Sequence, residues 1–467
     1  MTAKKIKEEP RLLEGAQLYG YSSGVFGQIL PIVLINSYIF IYYTYVIGLN
    51  ALLVSIGTAI GSTILALSAP IFGFIVDKKK PSKIGKRRPF LLYSLPVLVL
   101  SIIIIWYSPA AQQFGSFNWG ITLFLWSLLG LFFLSYSLLR ATYLSMTPEQ
   151  SQDEENRIKI GSLIGMFSIL GTVLGIFIPL ILQSQLENPD NIYNTPQDRE
   201  FLFFTLPLLG WVVAIITILF TLAAFYSTDE DFLEVKEQSI EGIKKQKANL
   251  KDVFKNLLRP FKDQNFKLYI LSILLMSIGI RILTKDLPLF MTFVLYLRDA
   301  EFITYILPLI IFAVLGFVLW SKRANTKGVK KTYVQATWMI SFSLIATALL
   351  LIEMPEVTML WFARIIFAFI LLSLVVGYIL PSPAISQLVD SAPKELLEDS
   401  DADSLSGSYF GTNIFIINIA GAFADLLFGL ILMGENAESR LAIGLLFPIA
   451  GIFYLLSVLI MRKVNFN

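Results

Sequence analysis

Hydrophobic residues follow one another in long unbroken runs, and polar residues collect in the shorter stretches between those runs. A helix needs about 20 apolar residues to cross the hydrocarbon core of a bilayer. Strands of a membrane barrel would instead alternate apolar and polar residues, which these runs do not do. The pattern therefore predicts an all-α membrane protein with twelve transmembrane helices. The twelve runs lie at about 16–47, 51–76, 89–107, 118–146, 158–183, 201–226, 267–297, 302–320, 330–352, 357–383, 407–433 and 441–461.

Positive charge lies mostly on one side of these predicted helices. When the N-terminus is placed in the cytoplasm, 30 of the 37 Lys and Arg residues fall on cytoplasmic segments and 3 on exterior ones. The stretch 77–88 alone contains seven of them. Cytoplasmic loops of membrane proteins carry such an excess. The distribution therefore predicts a multi-pass protein of the cell membrane with both termini in the cytoplasm.

A polar stretch between the sixth and seventh predicted helices divides the chain. The two parts echo each other, since the first predicted helix ends in YYTYVIGLN and the seventh in FMTFVLYLRD. Internal repeats of this kind are common in secondary transporters. The pattern predicts an N-terminal six-helix half (1–226), a cytoplasmic linker (227–266) and a C-terminal six-helix half (267–467).

Composition removes several classes of function. Hydrophobic residues make up 55% of the chain and charged residues 15%, which disfavours a soluble protein. The chain contains no Cys and no His, so thiolate metal sites and the commonest general base are missing. We therefore predict no metal, no cofactor and no nucleic-acid partner. A membrane-embedded enzyme acting on lipid or polyprenyl sugars is the weaker alternative, and no selectivity-filter sequence favours a channel.

Six ionisable residues lie inside the predicted helices. Charged side chains are costly in a span, so each of the six is a candidate functional residue. Asp425 is predicted at the depth of both Lys285 and Arg364, so an ion pair with either is expected, and purely structural pairing is the competing interpretation. Four cations against two anions suit an anionic solute. The six residues are Arg140, Arg281, Lys285, Asp286, Arg364 and Asp425.

The loop after the second predicted helix has an ordered motif as well as charge. GFIVD at 73–77, followed after seven residues by GKRRPF at 85–90, resembles the signature of the major facilitator superfamily. Its Arg-Pro-Phe ending resembles the glycoside–pentoside–hexuronide:cation symporter family of melibiose and sucrose carriers. The stretches YGYSSGVFG, LLRATYLSMTPEQSQDEENR and ISQLVDSAPKELLEDSDADSLSGSYFG are similar to the same family. The resemblance covers 19–183 and 378–432 and is poor over 227–377.

This resemblance implies a secondary transporter that moves a sugar or glycoside by alternating access. Helices one, four, seven and ten line the cavity in the superfamily, and five of the six ionisable residues fall on helices four, seven and ten here. Arg140 aligns with a substrate-binding arginine of sucrose-type carriers. The residues predicted to bind solute are Arg140, Arg281, Lys285, Gln28, Tyr38 and Asn418. Those predicted to brace the cytoplasmic gate are Asp77, Gly85, Arg87 and Arg88, and those predicted for coupling or ion pairing are Asp286, Asp425 and Arg364.

The family pattern fails at the cation site. Melibiose-type carriers place carboxylates on helix two, where this chain reads LALSAP from Leu65 to Pro70. The other acidic positions of that site fall at Ile29 and Arg140. A sodium site is therefore predicted to be absent. Proton symport through Asp286 or Asp425 and uniport both stay open.

The solute also stays open at this point. A neutral glycoside follows from the resemblance, whereas the excess positive charge favours a hexuronide or a lysolipid-like amphiphile. We expect the carrier to act as a monomer in the bilayer.

Two pairs of glycines on the fifth predicted helix, Gly161 with Gly165 and Gly171 with Gly175, have the spacing of small-residue packing ridges.

Overall fold

The structure, a computed structural model, consists of helices joined by loops in the residues that it describes, with one isolated β-bridge between Leu49 and Ser116. The described residues are 12–79, 84–110, 113–147, 150–151, 153–183, 196–228, 250–297, 301, 304–305, 307–393, 396 and 402–465. The N-terminal helices are α1 (Gly15–Ser23), α2 (Phe26–Ile41), α3 (Ala51–Lys78), α4 (Arg88–Ile104), α5 (Trp119–Met146), α6 (Glu154–Gln183) and α7 (Pro196–Ser227). The C-terminal helices are α8 (Leu250–Leu258), α9 (Gln264–Leu289), α10 (Ile310–Lys327), α11 (Val329–Ala346), α12 (Glu356–Leu374), α13 (Val376–Ile379), α14 (Pro381–Asp390), α15 (Ala402–Ile431) and α16 (Arg440–Met461).

Ten helical segments in the described residues are long and apolar enough to cross a membrane. The first of them, Gly15–Val46, joins α1 and α2 to a π-helical turn at Tyr42–Val46. Helix α4 is also apolar, but with 17 residues it is shorter than the ten. The prediction of an all-α membrane fold is confirmed, and the count of twelve spans stays a prediction.

The tenth predicted span, 357–383, is wrong as a single helix. Helix α12 ends at Leu374, and the chain continues as the two short helices α13 and α14. Pro381 is the first residue of α14 and has no N–H to donate to the preceding turn. A proline at the first turn of a helix is tolerated, whereas one in its interior breaks the hydrogen-bond ladder.

Local polar residues determine where several spans begin. A side-chain oxygen just before the first turn accepts a backbone N–H that has no partner within the helix. Asn50 Oδ1 accepts from Leu52 at 3.0 Å before α3, and Asp263 Oδ1 accepts from Asn265 at 2.8 Å before α9. Asn118 and Ser439 cap α5 and α16 in the same way.

The helices pack as two groups, which meet mainly where α3 runs along α15 and also where α2 contacts α9. In the N-terminal group, α3 lies along α5, α4 packs on α5 and α7, and α2 packs on α6 and α7. In the C-terminal group, α9 and α11 pack on α16, and α10 and α11 pack on α12. Helix α15 packs on α9 of its own group and along α3 of the other. We call the contact between the two groups, which is centred on α3 and α15, the seam.

Helix α8 lies in the described part of the predicted linker, of which residues 229–249 lie outside the described ranges. It packs against both α3 and α15. Thr412 of α15 donates a hydrogen bond to the carbonyl oxygen of Leu257 at 2.7 Å. The linker therefore touches both groups of helices at one end of the seam.

Candidate functional site

Arg281, Lys285 and Asp425 form one charged cluster inside the fold. Arg281 and Lys285 are four residues apart on α9, so their side chains share one face of that helix. Lys285 Nζ lies 2.8 Å from Asp425 Oδ1. Arg281 donates from Nε to Oδ1 and from Nη2 to Oδ2, both at 2.9 Å. The predicted Lys285–Asp425 pair is confirmed. Arg281 binds the same carboxylate with the bidentate geometry that is typical of strong arginine–carboxylate pairs.

Helix α3 of the other group supplies two hydroxyl groups to this cluster. Ser62 Oγ donates to Asp425 Oδ2 at 3.2 Å and accepts from Arg281 Nη2 at 3.4 Å. Thr58 Oγ1 accepts from Lys285 Nζ at 3.0 Å. Thr58 and Ser62 are also four residues apart, so the polar faces of α3 and α9 lie opposite each other. The cluster therefore ties the two groups of helices together across the seam.

Burial is unequal among the three charged side chains. Asp425 is 0% exposed and Lys285 is 1% exposed, whereas Arg281 keeps 15% of its side chain exposed. Two cations around one carboxylate leave the cluster with an excess of one positive charge. A buried charge is stable only where partners compensate it, so this excess makes the cluster attractive to an anion.

Two phenylalanines enclose the ammonium group of Lys285. Its Nζ lies 5.8 Å from the ring centre of Phe40 on α2 and 5.4 Å from that of Phe428 on α15. The two rings meet edge to face, with centroids 4.8 Å apart. These rings keep water from Lys285, and their faces add a weak cation–π attraction.

Asp286 lies next to Lys285 in the chain but outside the cluster. Its side chain is fully buried. Neither carboxyl oxygen has a hydrogen-bond partner among the described residues. Adjacent residues of a helix point about 100° apart, which is why Lys285 reaches α3 and α15 and Asp286 does not.

The predicted solute residues Arg140 and Gln28 come together on the N-terminal group. Arg140 Nη1 of α5 donates to Gln28 Oε1 of α2 at 3.3 Å. Tyr38 is 2% exposed and its hydroxyl faces the carbonyl oxygen of Ile176 on α6 at 3.5 Å, so it lies in a helix contact. Asn418 is partly exposed on α15 and donates to Ile414 of its own helix at 3.0 Å.

The expected alternative pair of Arg364 with Asp425 is wrong. The guanidinium carbon of Arg364 lies 5.2 Å from the ring centre of Tyr305 and 5.1 Å from that of Trp361. Asp425 has its oxygens occupied by donors from α9 and α3 instead. Arg364 is thus an aromatic-stacked arginine on α12, outside the cluster.

The predicted gate residues connect the start of α4 to two other helices. Gly85 has a φ of +104°, a backbone conformation that glycine adopts without strain. Arg87 donates to the carbonyl oxygen of Ser145 at the end of α5. Arg88 donates to the carbonyl oxygen of Phe225 on α7 at 3.1 Å and lies over the ring of the same residue. The side chain of Asp77 lies outside what the structure describes.

Sequence reasoning missed the hydroxyl and aromatic members of the cluster. Thr58, Ser62, Phe40 and Phe428 look like ordinary residues of apolar helices. The four-residue spacing of Thr58 and Ser62 on α3 was the one usable signal, because it places two hydroxyl groups on one helix face. Nothing in the sequence tells which charged helix that face meets.

Other contacts close the seam at the end that the charge pattern assigns to the exterior. Tyr45 donates from its hydroxyl to the carbonyl oxygen of Ala437, and its ring lies 5.7 Å from that of Phe293. Gly429 approaches Ser55 so closely that no room remains for a Cβ atom. Ser55 itself is 0% exposed. The two groups are therefore packed together from the cluster to the exterior end.

Comparisons with known proteins agree with this architecture. The sequence profile described as MFS/sugar transport protein matches residues 20–434. The fold resembles the inward open conformation of the xylose transporter XylE from E. coli over 96% of this chain and 94% of that one. The TM-score is 0.62 and the sequence identity 12%, so this likeness shows a shared fold alone.

Curated relatives match over shorter stretches. An uncharacterized symporter of Synechocystis is 26% identical over 36% of this chain and 30% of its own length. The sodium-dependent lysophosphatidylcholine symporter 1 of Mus musculus is 24% identical over 60% of this chain and 53% of its own length. A Salmonella typhimurium protein with the provisional name sulfoquinovose importer is 26% identical over 48% of this chain and 42% of its own length.

The matched stretches thus span between 30% and 53% of these three relatives. The relatives are named as symporters or importers rather than as enzymes. Together with the ten apolar segments, the matches show a multi-pass protein of the cell membrane.

Proposed function

Because the chain belongs to the MFS/sugar transport protein family, we propose that it moves a sugar bearing an anionic group across the cell membrane by alternating access. The proposed architecture has twelve membrane crossings, both termini in the cytoplasm, and six-helix halves at 1–226 and 267–467 joined by the linker 227–266. The two packed groups of helices support this division. The carrier acts as a monomer.

Arg140 is the observation that carries the choice of an anionic sugar. Its guanidinium is partly buried, and within the described residues its one hydrogen bond goes to the neutral amide oxygen of Gln28. A charged guanidinium with unused donors is suited to a carboxylate, sulfonate or phosphate group. The Salmonella relative is named for a sulfonated sugar, which supports the same class of solute.

A lysolipid-like amphiphile is the second candidate. Helix α6 is the least enclosed of the ten apolar segments. Only 17% of its most apolar stretch of 18 residues is buried within the protein. A helix that leaves most of its surface open to lipid offers an apolar path beside the carrier for an acyl chain. The mouse relative is named for a lysophospholipid, whose phosphate would again suit Arg140.

Asp286 is the proposed coupling residue if transport is driven by protons. The carboxylate of Asp425 already accepts from Arg281, Lys285 and Ser62. Asp286 is buried and has no such partner among the described residues, so a proton is the simplest way to compensate its charge. Proton uptake and release would then accompany solute movement.

Uptake into proteoliposomes tests the proposed function. The panel contains D-glucuronate, sulfoquinovose, the neutral sugars melibiose and sucrose, and lysophosphatidylcholine, each with and without an inward proton gradient. We expect uptake of the anionic sugars. Arg140→Gln should reduce it by about tenfold or more, because a hydrogen bond to a charged group is worth at least that factor. Arg140→Lys, which keeps the charge but loses the fork of donors, should fall between.

The matched control is Arg364→Gln, which removes an arginine outside the cluster and should leave uptake unchanged. Uptake of lysophosphatidylcholine alone would select the second candidate. Transport of neutral sugars with no loss in Arg140→Gln would contradict both. If the gradient drives uptake, Asp286→Asn should abolish that drive while leaving exchange of solute between the two sides intact.

A further inference from the structure

Arg281, one cation of the charged cluster, uses only some of its hydrogen-bond donors for its partner Asp425. Arg281 uses Nε and Nη2 for Asp425, and Nη2 also reaches Ser62. Its Nη1 takes part in none of the hydrogen bonds made among the described residues. Arg281 is also the most exposed charged side chain of the cluster, at 15% against 1% for Lys285.

The guanidinium of Arg281 lies at the contact between the two groups of helices. Its guanidinium touches Ser62 on α3 and Asp425 on α15, which places it where the groups meet. Lys285 cannot play the same role, because Thr58, Asp425 and two phenylalanine rings enclose its ammonium. An anion that reaches the exposed part of Arg281 therefore also meets the uncompensated positive charge of the cluster.

We infer that Arg281 is a second anion-binding residue. It pairs with Asp425 while the seam is closed, and the anionic group of the solute then replaces Asp425 as its partner. This inference rests on the proposed function. A carboxylate or sulfonate on the solute makes the same charge-assisted hydrogen bonds as Asp425 does, so the two compete for one guanidinium. Lys285 stays behind to neutralise Asp425 when Arg281 turns away.

The exchange of partners has a consequence for the seam. Arg281 donates to Ser62 and to Asp425 from the same atom, Nη2. When the solute draws Arg281 away, one of the ties between α9 and α3 is lost. The solute thus favours opening of the exterior end by binding Arg281 more strongly in the opened arrangement, as a ligand must if it is to shift such an equilibrium. A neutral sugar has no group that can replace Asp425.

Cysteine labelling measures this opening directly, because the chain has no cysteine of its own. Ser55→Cys places a thiol at the exterior part of the seam, where Ser55 is 0% exposed while the seam is closed. The purified carrier is treated with a polar maleimide, alone or with D-glucuronate, sulfoquinovose or neutral D-glucose. The reaction rate is compared for Ser55→Cys alone and in combination with Arg281→Gln, Ser62→Ala or the control Arg364→Gln.

Without solute, Arg281→Gln should label several-fold faster than Ser55→Cys alone, since its hydrogen bond to Ser62 across the seam, which is long at 3.4 Å, is lost. This variant keeps the Lys285–Asp425 pair, so it is expected to fold. Ser62→Ala removes the same contact from the α3 side and leaves all three charged residues in place. The anionic sugars should accelerate labelling of the Ser55→Cys carrier several-fold, and D-glucose should not. In Arg281→Gln, the anionic sugars should have no further effect.

If Arg281→Gln and Ser62→Ala were labelled at the same rate as Ser55→Cys alone, the contact between Arg281 and Ser62 would not hold the seam closed, whatever the carrier transports. An effect of the anionic sugars that survives in Arg281→Gln would overturn the role of Arg281 and leave the proposed function standing. If Arg281→Gln is labelled faster but no variant responds to the sugars, then Arg281 does not exchange Asp425 for the solute. That result would overturn the proposed solute class as well.

Discussion

Asp425 is the carboxylate on which two buried cations depend. It accepts from Arg281 and Lys285, and both would be left without a countercharge if it were neutral. Removing one partner from a buried ion pair costs about 3–5 kcal/mol, because the remaining charge stays desolvated. The residue is therefore expected to matter more for stability than either cation does by itself.

Three variants test this at the residue level. Asp425→Asn should lower the apparent melting temperature in detergent more than Lys285→Met does, because the first leaves two unpaired cations and the second leaves one matched pair. The double variant Asp425→Asn/Lys285→Met should be more stable than Asp425→Asn alone, because it no longer contains the unpaired positive charge of Lys285. A double variant that is less stable than both single variants would contradict this account.

Among single residues, the charged members of the site were predictable and their partners were not. An ionisable side chain is rare in a membrane helix, so each stands out in the sequence. Thr58 and Ser62 do not stand out, because a hydroxyl can return its hydrogen bond to its own helix. Arg364 shows the limit, since its depth suited Asp425 and its real neighbours are Tyr305 and Trp361.

At the scale of single elements, α6 shows that the spacing of glycines does not by itself predict which of them pack against another helix. A Cβ added to Gly175 would lie 2.9 Å from two side-chain carbons of Val33, and one added to Gly171 would lie 3.2 Å from Ile29. Gly161 and Gly165 have nothing within 4 Å of such an atom. The second pair of glycines is a packing ridge against α2, as predicted, and the first pair is not in contact.

This difference gives a paired test on one helix. Gly175→Leu should lower the apparent melting temperature by several degrees, because overpacking a helix contact typically costs about 1–3 kcal/mol. Gly161→Leu brings the same gain in helix propensity without a clash, so it should be neutral or slightly stabilising. Thermal unfolding in detergent, followed by size-exclusion chromatography, measures both. Equal effects of the two variants would show that α6 does not pack on α2 through Gly175.

At the scale of the whole molecule, the charge pattern makes a prediction about sidedness. Lys463 is predicted to lie in the cytoplasm and Glu435 outside, and both side chains are exposed. In cells that produce the protein, a membrane-impermeant maleimide should label Glu435→Cys directly. It should label Lys463→Cys only after the cells are permeabilised. The reverse pattern would contradict the proposed orientation and place the closed end of the seam in the cytoplasm.

The sequence by itself determined that this chain is helical, lies in a membrane and carries charges within its spans. Those properties depend on runs of about 20 apolar residues and on rare charged positions, which are local and therefore visible in one dimension. Only the tertiary structure decided that Asp425 pairs with Arg281 and Lys285, that Thr58 and Ser62 join them, and that α6 uses one pair of glycines and not the other. The physical reason is that these contacts join helices far apart in the chain. Which helix faces meet depends on how whole helices rotate and pack. The sequence of an apolar helix does not show which of its faces will contact a neighbour.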